Sequence, residues 1–227
     1  MALKLQPNSD QVVQKLASLE AQMGDYSRAL EIMDAHKFQA THLSYSLLHL
    51  YRGIRLMLAL QAAGNTKFPE ALSDVKSAAQ PAPSLGVDDF STVKSSRLLV
   101  YEALLHQKAG DSAAAAAAWQ AAAKTPDDAI EGEGLFRAIA LSKTGQASGA
   151  EEWFKEFAPV NEQRKTDSAV NLRLQAYDLA GMYAAMRGDD ALARENFNKA
   201  LEIDQSYLYA RQGLAWLEAG MLKGLRQ

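Results

Sequence analysis

YDLAGMYAAMRGDDALARENFNKA, Tyr177 to Ala200, is the stretch that decides how this chain folds. Tyr177 and Gly181 are four residues apart, so on a helix they stack on one face, and a second helix can approach closely over the glycine. Gly188 can take the left-handed conformation that ends a helix, worth about 1 kcal/mol relative to a residue with a β-carbon. Asp189 or Asp190 can then cap the next helix. Along that helix Ala193, Phe197 and Ala200 follow at +4 and +3, which places one aromatic ring between two small residues on the buried face. The stretch therefore reads as two antiparallel helices, with Phe197 buried between Ala193 and Ala200.

The same grammar recurs outward from it. Turn glycines fall at Gly24, Gly64, Gly110, Gly145, Gly188 and Gly220, at intervals of 40, 46, 35, 43 and 32. Asp25 and Ala29 follow Gly24; Asp111, Ala115, Trp119 and Ala122 follow Gly110; Ala150, Phe154 and Phe157 follow Gly145. Asn65–Pro69 lengthens the turn after Gly64, before Ala71, Val75 and Ala78. The run Ala113–Ala118 with Trp119 is a close-packed second helix, favoured by alanine's helix propensity. These offsets resemble the tetratricopeptide repeat, whose period is about 34 residues.

The resemblance implies an all-α tetratricopeptide-repeat solenoid of antiparallel helix pairs wound as a right-handed superhelix. The expected repeats are 10–37, 42–80, 94–125, 132–158 and 167–204, with a half-repeat at 206–227 and no domain boundary. Two prolines and a glycine make Pro81–Ser95 a long loop, anchored by Leu85, Val87 and Phe90. Pro159–Thr166 is expected to be a second loop. Long helices are expected from about His42 to Ala63 and from about Ser168 to Arg187.

Both ends read as cuts through an array. Ala2–Asn8 resembles the finish of a second helix with nothing before it, and Tyr209, Gly213 and Trp216 mark a first helix whose partner is missing after Gly220. Leu214, Leu217, Met221, Leu222 and Leu225 would leave that last helix with an apolar, uncapped side, because the end of a one-dimensional stack has no neighbour to cover it. Self-association through the C-terminal helix is the consequence expected.

Composition is that of a helical globular body: 48% hydrophobic and 22% charged residues. A net charge of −3 gives no electrostatic case for nucleic acid. Cysteine is absent, which excludes disulfides and cysteine-rich zinc sites. Arg52 and Arg55 interrupt the most apolar helix, so no membrane insertion is expected. The compartment stays open, with the cytoplasm favoured.

Candidates for chemistry are few. His36, His42, His49 and His106 are read as surface or packing residues; His42 and His49 could share a face but have no nearby carboxylate to complete a metal set. The pairs Asp88-Asp89, Asp127-Asp128, Glu151-Glu152 and Asp189-Asp190 lie where helices begin and complement the helix dipole. No phosphate-cradling loop, nucleophile elbow or His-Glu metal motif occurs. No catalytic residue, metal or cofactor is expected.

Function is expected on the concave surface lined by first helices. Offsets from the turns place Gln14, Ser18 and Gln22 there, then Tyr51, Arg55 and Leu58, then Arg97, Tyr101, Leu104 and Lys108, then Gln175, Asp178 and Met182. The arginine and aromatic mixture of Tyr51, Arg55, Arg97 and Tyr101 suits a peptide or a sugar. Tetratricopeptide domains that grip a chaperone's terminal carboxylate resemble one another in a Lys/Asn/Asn/Lys/Arg set, which is missing at Gln14/Ser18, Val100/Leu104 and Leu135/Ile139. The first reading is a non-catalytic scaffold binding a peptide or protein segment in this groove.

A second resemblance rests on the order of motifs: His36-Lys37-Phe38, a long helix ending Leu60-Gln61-Ala62-Ala63-Gly64, a second helix, Ser84-Leu85-Gly86-Val87, then a further pair. This order looks like the C-terminal repeat region of large bacterial proteins that carry an N-terminal mutarotase-like β-sandwich. It implies the alternative reading, an accessory module of a carbohydrate-active protein.

Overall fold

The computed structural model describes residues 9–39, 44–80, 83–86, 95–126 and 133–225. Among them are eleven α-helices, two 3-10 turns and no strand. The expectations for Ala2–Asn8, His42, Val87, Phe90, Asp88-Asp89 and Asp127-Asp128 lie outside the described residues. The chain divides into two compact units, 1–93 and 94–227, and the division falls within the long connection after Gln80.

In the first unit α1 (Asp10–Gln22) pairs with α2 (Tyr26–Asp34), and α3 (Ser44–Gly64) with α4 (Phe68–Ala79). Val13, Ala17 and Ala21 of α1 face Tyr26, Ala29 and Met33 of α2 in the core, and Ala71, Val75 and Ala78 form the buried stripe of α4. Gly64 stays within its helix, and Thr66 takes the left-handed position in that lengthened turn (φ 59°). The 3-10 turn Pro83–Leu85 buries Leu85 completely, and the Phe38 amide donates to the Ser84 carbonyl at 2.8 Å.

The second unit holds α5 (Ser96–Ala109), α6 (Ser112–Ala123), α7 (Glu133–Lys143), α8 (Ala147–Arg164), α9 (Val170–Met186), α10 (Asp190–Ile203) and α11 (Leu208–Glu218). Consecutive helices pack as pairs, an arrangement compatible with a helical repeat. The turn chemistry is local and follows the sequence. Asp25, Asp111 and Asp189 each follow a left-handed glycine and accept from the amide three residues on, at 3.0, 3.0 and 2.9 Å. Those bonds satisfy donors that a helix start otherwise leaves free.

Phe197 is fully buried, as its register requires, and what it rests on is bare backbone. A methyl group placed on Gly181 of α9 would lie 2.5 Å from the ring, and one on Gly213 of α11 would collide with it too. The ring thus fills a slot between two helices that only glycine leaves open. Trp153 of α8 uses Gly134 of α7 in the same way, at 2.8 Å from such a methyl.

Two expectations are corrected. Pro159–Thr166 is not a loop: α8 continues through Pro159 to Arg164. Proline removes the amide that would bond the Lys155 carbonyl, but contacts on both sides hold the helix together. Phe157 stacks on Trp153 (4.7 Å between centroids), and Asn161 Nδ2 donates to the Ala176 carbonyl at 2.9 Å.

The second correction concerns the last residues. After Gly220 (φ 69°) the chain makes a 3-10 turn, Met221–Leu225, and packs on α5, α9 and α11. Met221, Leu222 and Leu225 are buried within the chain itself, as is Leu217. All but the half-buried Leu214 of the residues expected to leave an apolar, uncapped side are therefore covered within the chain, because the turn packs them on α5 and α9 as well as on the last helix.

Candidate functional site

Two serines and a glutamate fix where α5 and α7 begin. Ser95 caps α5, its hydroxyl accepting from the Leu98 amide at 3.3 Å. The Glu133 carboxylate lies over the same helix start, taking bonds from Ser95 Oγ (2.7 Å), Ser96 Oγ (2.6 Å) and the Arg97 amide (2.8 Å). Negative charge at a helix N-terminus is favoured by the dipole and by charge-assisted bonds. The first turns of α5 and α7 are thereby tied together. Sequence reasoning missed this latch; its signal was the Ser95-Ser96 pair ahead of a helix.

From that anchored start Arg97 projects into a setting built by three other helices. Its Nη2 lies 2.6 Å from Asp178 Oδ2 of α9, and its guanidinium is flanked by the rings of Phe136 of α7 (4.4 Å) and Tyr209 of α11 (4.3 Å). Planar guanidinium groups suit such stacking, whereas a lysine would not replace it. Burial alone would lower the Arg97 pKa; the Asp178 carboxylate outweighs it and holds the charge firmly in place. One turn along α5, Tyr101 meets Trp216 of α11 edge-on at 4.4 Å. Burial pushes its phenol well above the usual range, so it stays protonated.

The expected groove residues therefore divide. Arg97, Tyr101, Asp178 and Met182 are brought together, but as interior: Arg97 is 8% exposed, Asp178 1%, and Tyr101 and Met182 0%. Leu104 is buried as well, and Gln175 is half-buried. Lys108 is exposed near the end of α5. In the first unit Tyr51 is buried and Arg55 is half-buried, bonded to the Tyr51 hydroxyl (3.1 Å) and paired with Asp74 (2.8 Å). Burial raises the Asp74 carboxyl, against the opposing pull of Arg55. Leu58 is half-buried, Gln14 donates to Ser46 Oγ at 3.0 Å, and Gln22 donates to Ser18 Oγ at 3.2 Å.

Two buried polar atoms of the pair itself have no protein hydrogen-bond partner: Arg97 Nη1 and Asp178 Oδ1. Orphaned buried polar groups each cost stability, so the ion pair is held by its surroundings rather than saturated by them. Two of the histidines lie beside carboxylates. His36 Nε2 is 2.7 Å from Asp10 Oδ1, and His106 lies 3.6 Å from Asp111 and 4.0 Å from Glu102. Among the described residues no group of three or more His, Asp or Glu side chains could hold a metal ion. None of the described helices is long and apolar enough to cross a membrane.

With this geometry in place, comparison with known proteins adds no relative: no family model, no curated protein and no solved structure matches the chain.

Proposed function

We propose that this chain is a tetratricopeptide-like helical repeat acting as a non-catalytic scaffold, which binds a peptide or protein segment on the inner faces of its first helices. The observation that carries the reading is the turn Met221–Leu225. It is a short segment outside the α-helical pairs, and it lies against α5, α9 and α11 with three apolar side chains buried. We read the place where it lies on α5, α9 and α11 as the kind of seat a scaffold would offer to a segment, here filled by the chain itself. The Gly-Asp turns, the glycine slots under Phe197 and the paired helices support the repeat assignment.

Selection of short peptides from a random displayed library against the full chain tests this. Enriched sequences that bind in solution below about 100 μM, a Kd worth roughly −5.5 kcal/mol, are the expected result. Failure to select any, or reproducible turnover of a glycoside, ester or peptide lost on changing one residue, would overturn it.

The accessory-module reading rests on the second resemblance alone. The Phe38 amide bonds the Ser84 carbonyl, so the His36–Phe38 and Ser84–Gly86 segments that carry the second resemblance meet in one place. A β-sandwich with paired carboxylates in the same reading frame would support it; further helical repeats there would favour the scaffold.

A further inference from the structure

Resting on the scaffold reading, we infer that the turn Met221–Leu225 is a displaceable occupant of a seat on α5, α9 and α11. The partner that exchanges with it is a short apolar segment carrying a glycine immediately before its last leucine. The attachment is almost wholly apolar. Met221, Leu222 and Leu225 are buried, and Lys223 is exposed. Gly220, in the left-handed conformation, is a ready pivot at the start of the segment.

The glycine requirement follows from the fit against α5. A methyl group on Gly224 would lie 2.6 Å from Leu104 Cδ2; Gln107 Oε1, at 2.7 Å, ends an exposed side chain that can swing aside, so the Leu104 contact sets the limit. Leu104 is itself in the core, so the seat has little freedom to widen there. A segment that competes for this seat must therefore present bare backbone at the same point and bury apolar side chains on either side. A tethered occupant acts at an effective concentration on the order of millimolar, so the native chain resists exchange with weak ligands and yields to a segment of matching chemistry.

The test uses the full chain and a fluorescent peptide reproducing Ala219–Leu225. In the variant Gly224→Val the chain's own turn no longer fits, and the peptide is expected to bind at least about tenfold tighter than to the native chain. The same peptide carrying Gly224→Val should not bind. If the variant retains native helicity and binds the native peptide no better than the native chain does, the inference is overturned. Hydrogen exchange on the native chain decides the matter even if the variant misfolds. Amides of 221–225 should exchange at least about tenfold faster than those of α5 and α9, through local opening; exchange only together with α5 would overturn the inference. A chain that selects library peptides yet fails these measurements keeps its scaffold function and loses the displaceable turn. One that passes them yet selects nothing shows the reverse.

Discussion

At the scale of single residues, the second unit is organised by aromatic rings lying on glycines, because a missing β-carbon lets a ring approach helix backbone that any other residue would shield. Phe197 against Gly181 and Gly213 is the clearest case. Phe197→Ala is expected to cost about 3–5 kcal/mol, as removal of a fully buried ring, read from the denaturant midpoint. Gly181→Ala should cost about 1–3 kcal/mol through overpacking. Because both changes act on one contact, the double variant should be more stable than the sum of the two predicts. Strict additivity would mean that the ring and the glycine do not share the slot.

A second residue-scale effect depends on pH. Burial would raise the Asp10 carboxyl, but the His36 ring and the Gln39 amide, bonded at 2.7 and 3.0 Å, bring it below its usual value. A depressed folded pKa means the ionised form stabilises the fold above the unfolded value of about 3.9. That stability is lost as pH falls through the folded value. Asp10→Asn is therefore expected to unfold at lower urea than the native chain at pH 7. The difference should shrink as pH falls below the unfolded value and through the lowered folded one, and a difference constant on acidification would contradict the assignment.

At the scale of elements, α8 shows what sequence alone conveys and what it omits. Gly-Asp turns and the Ala193–Phe197–Ala200 spacing are legible because capping and face periodicity involve residues a few positions apart. Pro159 marked a break by the average behaviour of proline, yet Phe157 on Trp153 and Asn161 on α9 hold the helix through it. The Trp153–Phe157 spacing of four is itself a helical signal, but the Ala176 carbonyl lies on another helix, and no local pattern reports it. Pro159→Ala should restore a backbone bond and raise the melting temperature, with a gain in stability of up to the roughly 3 kcal/mol that an interior proline costs. A fall would show that a bend at this position is needed for packing on α9.

At the scale of the whole molecule, each unit is best considered alone. Periodicity put Arg97, Tyr101, Asp178 and Met182 on one set of faces, and the second unit does bring them together. It could not show that these faces close on one another, because closure depends on small rotations accumulated from hairpin to hairpin. The apolar side of the last helix was misread for the same reason. Leu222 and Leu225 carry no mark saying whether a neighbour in sequence or a helix some hundred residues earlier covers them.

The Arg97–Asp178 pair spans 81 residues, and the Tyr101–Trp216 contact reaches from the first hairpin of the second unit to its last full helix. In a linear array each hairpin touches only its neighbours, so stability is nearly a sum of terms and cassettes can be added or deleted. Contacts that skip a hairpin cancel that freedom. The loop between them must close before they form, which slows folding, as expected for chains with sequence-distant contacts. Excising α7 and α8 would take Phe136 from the arginine and shift the register of everything beyond. The second unit should melt as one block, and evolution could have lengthened it at its edges far more readily than in its middle.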